Sequence, residues 1–308
     1  MDLWQVLAGL VVGFVVGLTG VGGGALMTPL LHLGFGIPLP VAVGTDLFYA
    51  AITKASGAFI HARTGVVDWW IVKRLALGSI PAAVATIGAI RWLGLGDKSF
   101  SDIISITLSL ALFLTAVFLL ARKRLVERAR EAAHLSRLRD VLRDHRGGLT
   151  VSGGVFLGVL VTLTSVGSGV LGTALILFLY PSMATVSVVG TELAHAVPLV
   201  FVAGLGHLSL GTVDGWLLVS LVIGSLPGVY AGSMLASRIS DGVLRPVLAT
   251  MLVVISVMLI SPWTGVDKSS AHAVKSRPEE DTVERTEARE LDREVLGGFA
   301  FHVPGGSG

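Results

Sequence analysis

Apolar residues fill most of this chain in blocks of about twenty, separated by short polar or Gly-rich stretches. A helix needs roughly that many apolar residues to cross a bilayer core. The pattern predicts eight spans: Leu3–Gly34, interrupted in its middle, then Pro40–Ile60, Trp69–Leu93, Ile103–Ala121, Leu149–Tyr180, again interrupted, Met183–Gly206, Trp216–Ser237 and Val243–Ile260. Pro81 and Pro227 fall inside spans. Membrane helices tolerate this because neighbours re-satisfy the freed carbonyls. The start Met1-Asp2-Leu3-Trp4 has no basic n-region and no small-residue cleavage site follows it, so the first block reads as a span rather than a signal peptide.

Composition narrows the class. Of 308 residues, 53% are hydrophobic and 14% are charged, where a soluble domain carries roughly a quarter charge. The chain is too apolar for a soluble globule or a disordered segment, and its 39 Gly lack the third-residue period of collagen. It has no Cys, which removes disulfides, thiolate nucleophiles and Cys-based metal sites. Most of the 23 basic and 21 acidic residues fall in two stretches, 122–146 and 267–296. The pI near 9.1 therefore marks an Arg-rich linker and gives no nucleic-acid signal. In that linker Leu125, Ala129, Ala132, Ala133, Leu135, Leu138, Val141 and Leu142 recur at helical spacing among the Arg residues. An interfacial amphipathic helix is expected, cytoplasmic by the positive-inside rule. Counting crossings back puts the Arg63–Arg74 loop on the same side. The expected organisation is a transmembrane repeat over 1–121, the linker at 122–148, a second repeat over 149–262, and a charged, disordered tail at 263–308.

The repeat is visible at a nearly constant offset. Leu18-Thr19-Gly20-Val21-Gly22-Gly23-Gly24 matches Leu163-Thr164-Ser165-Val166-Gly167-Ser168-Gly169, and Gly44-Thr45-Asp46-Leu47 matches Gly190-Thr191-Glu192-Leu193. His61, Gly65, Val67, Asp68 and Trp70 match His207, Gly211, Val213, Asp214 and Trp216, and Gly78-Ser79-Ile80-Pro81 matches Gly224-Ser225-Leu226-Pro227. Duplicated membrane units are a common transporter architecture, with the substrate held where the repeats meet. An even number of crossings per unit makes the repeats parallel. A Gly segment that turned fully back would invert them.

The Gly clusters sit mid-span. Each Gly costs about 1 kcal/mol of helix relative to Ala, so both spans should unwind there. Unwound backbone survives at that depth only inside protein or along a polar cavity. A half-helix restarting after the break points free N–H groups and its dipole at the membrane middle, which favours an anion. Thr19, Gly20, Gly22, Gly23, Gly24 and Thr45 are the candidate contacts in the first half. Thr164, Ser165, Gly167, Ser168, Gly169 and Thr191 are those in the second, and Thr28 offers a further hydroxyl. The competing reading of these Gly residues is a packing kink. Gly9, Gly13, Gly17, Gly154 and Gly158 have the small-xxx-small spacing of helix packing. The string Gly20-x-Gly22-x-x-Ala25 formally fits a dinucleotide fingerprint, but no strand–helix–strand unit surrounds it.

Asp46, Lys54, Glu192 and His195 lie within predicted spans, where an ionisable residue is a functional candidate. Asp46 and Glu192 are repeat equivalents and candidates for carrying or gating a coupling proton. His195 shares a helix face with Glu192 and is placed to relay a proton or to donate to an anion. Lys54 either attracts the anion or pairs with Asp46. Glu192 and His195 also form the E-x-x-H pair of di-metal carboxylate bundles, but the first half offers Asp46 and Tyr49, so the second copy is missing. No metal or other cofactor is expected. His61 and His207 read as interfacial caps, Asp68 and Asp214 as helix N-caps, and Trp69, Trp70 and Trp216 as an aromatic belt.

With these residues in place the chain resembles the sulfite exporter TauE/SafE family of membrane permeases. The likeness rests on the run from Gly13 through Gly17-Leu-Thr-Gly-Val-Gly-Gly-Gly to Pro29, on Val43-Gly44-Thr45, Gly65-Val66-Val67-Asp68-Trp69 and Gly78-Ser79-Ile80-Pro81, and on their second-half copies, over about residues 5–262. The resemblance implies movement of small sulfur-containing anions, such as sulfite or organosulfonates, across the inner membrane, with proton coupling. Asp46 and Glu192 stand where such proteins often carry a neutral Ser or Asn.

The expectation is therefore an all-α, polytopic bundle of about eight spans in two homologous repeats with broken helices. It acts as a secondary anion transporter rather than an enzyme, with the anion, protons and membrane lipids as its partners and no nucleic acid. Rocking of one half against the other would give alternating access. A metal-dependent intramembrane enzyme and a passive anion channel are the alternatives.

Overall fold

The computed structural model describes residues 3–19, 24–94, 97–132, 136–236 and 241–260. Gly20, Gly22, Gly23 and the tail at 263–308 lie outside these residues. So do the side chains of Thr19 and of 122–144. Among the described residues the chain is helical, with no strand.

Helix α1 (Leu3–Thr19) ends where the first Gly cluster begins, and α2 (Gly24–Pro29) follows it. A π-type turn at Leu30–Gly34 extends α2. It is closed by Gly36 N–H on the His32 carbonyl at 3.0 Å and Ile37 N–H on the Leu31 carbonyl at 3.1 Å. Pro38 then starts α3 (Leu39–Arg63), which leads to α4 (Trp69–Trp92). The turn between them uses Gly65 at φ +69. Asp68 caps α4, its Oδ1 accepting from Trp70 N–H at 3.0 Å and Ile71 N–H at 3.2 Å. Asp214 does the same for α9 (Gly215–Ala236), accepting from Trp216 at 2.9 Å and Leu217 at 3.0 Å. Both caps are as expected, since an Asp before a helix satisfies two of its orphan donors.

The remaining helices are α5 (Asp97–Ala132), α6 (Ser136–Thr164), α7 (Val170–Leu179), α8 (Thr185–Ser209) and α10 (Asp241–Ile260). Helix α5 runs on to Ala132 and α6 already starts at Ser136. The linker backbone therefore extends its two flanking helices, where a separate interfacial helix was expected. Neither Gly nor Pro interrupts 97–132 or 136–146, so nothing stops either helix at the membrane edge.

Five described helices are long and apolar enough to cross a membrane: Trp69–Trp92, Lys98–Ala121, His145–Thr164, Thr185–Ser209 and Gly215–Leu235. Leu3–Leu18, Val170–Leu179 and Pro246–Leu259 are apolar but shorter.

Packing crosses between the halves of the chain. Helix α1 lies on α9, α6 on α4 and α3 on α8, while α5 lies on α10. Small residues make the first two contacts possible. A Cβ at Gly9, Gly13 or Gly17 would strike the backbone of Leu221, Ser225 or Val229, and one at Gly224, Gly228 or Gly232 would strike Val6, Leu10 or Phe14. At the other seam Gly154 and Gly158 face Leu75 and Ser79, and Gly78 faces Val151. Lipid tails are as apolar as Leu, so such close backbone approach supplies the attraction. The packing role expected of Gly9, Gly13, Gly17, Gly154 and Gly158 is what the helices display.

Candidate functional site

The second Gly cluster breaks its span. Helix α6 ends at Thr164, and the chain passes through Ser165 at φ +58, Gly167 at φ +114 and Gly169 at φ +148 before α7 begins. Gly reaches these angles without a Cβ clash, whereas Ser165 is a non-Gly residue held in the left-handed region. The Thr164 hydroxyl donates to the Leu160 carbonyl at 2.7 Å, and Val166 N–H donates to Thr164 Oγ1 at 3.1 Å. Gly172 and Thr173 N–H groups close onto the Gly167 and Gly169 carbonyls, both at 2.9 Å. Gly169 caps α7 without a side-chain hydrogen bond. The start of α7 is thus a short, buried, self-supported break with an uncapped end.

The start of α2 meets the break before α7. A Cβ on Gly24 would lie against the Ser165 carbonyl, with Ser165 Oγ at 3.1 Å. Lys54 reaches across from α3. Its ammonium donates to the Ser168 carbonyl and, at 2.9 Å, to the Ser168 hydroxyl. Lys54 is buried and stands within electrostatic reach of both Asp46 and Glu192. Of the two roles expected for it, neither is the first contact seen. It holds the opposite half's break.

Each acid sits beside the half-helix of its own half. Asp46 is fully buried and accepts from the Thr28 hydroxyl of α2 at 2.6 Å. The Ser165 hydroxyl faces the same carboxyl. Glu192 lies against the first turn of α7, where a Cβ on Gly172 would be 3.0 Å from its Cγ and 3.2 Å from its Oε1. Four buried polar atoms around this centre lack a hydrogen bond of good geometry: Glu192 Oε1; Asp46 Oδ1 and Ser165 Oγ, whose groups face each other; and Tyr49 Oη, which faces Ser225. Buried groups of this kind are normally satisfied, so a cluster of them points to a site that takes a guest.

Thr45 and Thr191 stand one residue before the acids and clasp the halves together. Thr191 Oγ1 accepts from Asp68 N–H at 2.9 Å, and Thr45 Oγ1 accepts from Asp214 N–H at 3.1 Å. The hydroxyl protons of both remain to be donated. A second duplicated contact joins the helices outside them. Ser79 Oγ and His195 Nε2 are 2.8 Å apart, while Ser225 faces the Tyr49 hydroxyl. Tyr49 and His195 align when the two halves of the sequence are matched, as do Ser79 and Ser225. The Ser79 contact occupies one of the two ring nitrogens of His195. Among the described residues no three His, Asp or Glu side chains converge.

His207 corrects its expectation. It is fully buried rather than interfacial, with Nε2 2.9 Å from the Thr162 carbonyl, Nδ1 2.9 Å from Thr212 Oγ1, and its ring stacked near Phe100 at 6.3 Å between centroids. The reason is tertiary: α5 and α6 close over the end of α8. Tyr49, Ser79 and Ser225 were not among the expected site residues. The Gly-Ser-x-Pro match between the halves was the signal for both serines, and the alignment of Tyr49 with His195 was the signal for the tyrosine.

Thr164, Ser165, Gly167, Ser168 and Gly169 thus come together with Gly24, Asp46, Lys54 and Glu192, with Thr45 and Thr191 one helical position away at the clasp.

Comparisons with known proteins agree with this build. The chain is 40% identical over 260 residues to the probable membrane transporter protein YjnA of Bacillus subtilis, covering 84% of this chain and 100% of that relative. It is 28% identical to the probable membrane transporter protein YdhB of the same organism, over 78% of this chain and 92% of the other. With the probable membrane transporter protein MJ0441 of Methanocaldococcus jannaschii it shares 26% identity over 83% and 94% of the two chains. No solved structure matches it at a significant level. The family model described as sulfite exporter TauE/SafE matches residues 5–259, nearly every residue of the helical body, and the chain belongs to that family of multi-pass membrane transporters.

Proposed function

We propose that this protein is a secondary transporter for a small sulfur-containing anion, such as sulfite or an organosulfonate, across the cytoplasmic membrane. The observation that carries the reading is the meeting of Gly24, Ser165 and Ser168 beside a buried Lys54, at the uncapped start of α7. A small anion finds there free amides, the Ser165 hydroxyl and a buried cation. Thr19, Gly20, Gly22 and Gly23, read from the sequence, are proposed as the first-half contacts, and Thr45 and Thr191 have hydroxyl protons to add. Asp46 and Glu192 carry coupling protons, with Lys54 and His195 as gating groups.

The reading includes about eight spans in two homologous repeats, over 1–121 and 149–262. Its support is that contacts come in matched pairs: α1 on α9 with α6 on α4, Thr45 to Asp214 with Thr191 to Asp68, and Ser79 to His195 with Ser225 beside Tyr49. The Arg-rich linker at 122–148 is cytoplasmic in this reading. Arg74 lies against Gly147, which supports putting the Arg63–Arg74 segment and the linker on one side. The exchange of α1 and α6 between halves replaces simple rocking of one half on the other. The Gly-lined pairs α1–α9 and α4–α6 move as units, and the breaks between them rearrange.

Counterflow in proteoliposomes tests the reading. A carrier exchanges labelled sulfite for unlabelled sulfite. A channel shows no trans-acceleration, and an enzyme moves no label. A thermal-shift screen of sulfite, sulfoacetate, sulfate and thiosulfate identifies the anion. Failure of all four to bind would overturn the anion assignment.

A further inference from the structure

The buried ionisable side chains described near the breaks are Asp46, Tyr49 and Lys54 of α3 and Glu192 and His195 of α8. His207, also buried, is tied to Thr162 and Thr212 at the far end of α8. Against the two acids α2 brings Thr28, α4 brings Ser79 through His195, α9 brings Ser225 through Tyr49, and the break before α7 brings Ser165 and Ser168. None of these four elements adds a buried charge. The site's electrostatics therefore reduce to two carboxyls and one ammonium.

Two arguments converge on its filling. The first concerns charge. With Asp46 and Glu192 ionised and Lys54 cationic, the site holds one net negative charge, and a monovalent anion would raise that to two. Burying uncompensated charge costs several kcal/mol per ion. One proton leaves the loaded site still negative, whereas two leave it neutral. The second concerns hydrogen bonds. Asp46 Oδ1 and Glu192 Oε1 are both buried and lack a hydrogen bond of good geometry. An ionised carboxylate only accepts, and so do the oxygens of an oxyanion, so neither can satisfy the other. A protonated carboxyl carries one O–H donor. Glu192 Oε1 therefore needs its own proton before an anion can lie against it, whereas at Asp46, where the Ser165 hydroxyl already faces the carboxyl, the charge count supplies the need for the second proton.

Resting on the anion reading above, we propose that the site loads a monovalent oxyanion together with two protons, one on Asp46 and one on Glu192. The protons come from water on the open side and leave with the anion on the other, and no covalent bond is made or broken. The cotransported set carries one net positive charge, so the cycle responds to membrane potential.

The test counts protons taken up on binding by the full chain in detergent. Calorimetry in buffers of different ionisation enthalpy gives the number, with methanesulfonate as a permanent monoanion, and with sulfite after subtracting the proton that the free anion itself takes up. At a pH high enough for both acids to be ionised in the empty site, the expected count is two. In the pH range where both acids would otherwise be ionised, affinity rises about 100-fold per pH unit of acidification, about tenfold for each proton. Asp46→Asn and Glu192→Gln each lower the count by one, and the double variant binds with a count of zero at an affinity independent of pH. Binding to the wild-type protein with one proton or none overturns this proposal while leaving the anion reading intact. Absence of binding by methanesulfonate, sulfite and the other screened anions overturns both.

Discussion

The Lys54 ammonium and the Ser168 hydroxyl meet at 2.9 Å across 114 positions of sequence. A charged donor in a buried setting makes such a bond worth about 1.5–3 kcal/mol. Ser168→Ala should lower unfolding free energy by about that amount, read from thermal or denaturant unfolding in detergent. Lys54→Met should weaken sulfite binding at least about tenfold, because it removes the site's buried cation. Unchanged sulfite affinity in Lys54→Met would mean the ammonium serves the break alone.

The clasp of Thr45 on Asp214 and Thr191 on Asp68 makes a separate case. Thr→Val keeps the shape and deletes the acceptor, leaving a backbone N–H without its partner. Thr45→Val and Thr191→Val should each cost about 1–3 kcal/mol, and Thr→Ser at either place should cost less than half as much. The two clasps share no residue, so the double variant should be additive within about 0.5 kcal/mol. Wild-type stability in both single variants would show that water replaces the hydroxyl.

Glycine substitutions separate packing from propensity. At Gly13 an added Cβ would lie 2.7 Å from the Ser225 Cα, so Gly13→Val should destabilise by at least about 1–3 kcal/mol through overpacking. Gly88, also within a helix, has nothing within 4 Å of an added Cβ. Gly88→Ala should be neutral or stabilising by up to about 1 kcal/mol. Equal melting temperatures for the two variants would sink the close-seam description of α1 on α9.

Aspartate capping gives a local check. Asp214 Oδ1 accepts from two N–H groups at the start of α9, so Asp214→Ala should cost about 0.5–2 kcal/mol. Asp214→Asn should retain most of the cap.

Much of the molecule was legible because its signals are local. Long apolar blocks have one stable use in a bilayer, so the helices follow from hydropathy and length, and five of those described are long and apolar enough to cross. The break at 165–169 follows from Gly and Ser within five residues, since backbone freedom is set residue by residue. The caps at Asp68 and Asp214 follow from their place before a helix. The internal match alone sets Asp46 opposite Glu192.

Other features depended on which distant surfaces came together. His207 reads as a span-end residue until α5 and α6 cover it with Phe100 and Thr162. The stretch at 122–146 reads as its own helix, and the fold carries it as the end of α5, to Ala132, and the start of α6, from Ser136. Lys54 reads as an anion attractor or a partner for Asp46, and the fold bonds it to Ser168 of the other half. The sequence by itself determined a helical membrane protein with a Gly-rich break at 165–169, because these rest on local backbone preference and hydropathy, and its internal match set Asp46 opposite Glu192. Only the tertiary structure decided that α1 pairs with α9, that α6 pairs with α4, and that Lys54 bridges the halves, because those choices depend on close packing between segments far apart in the chain.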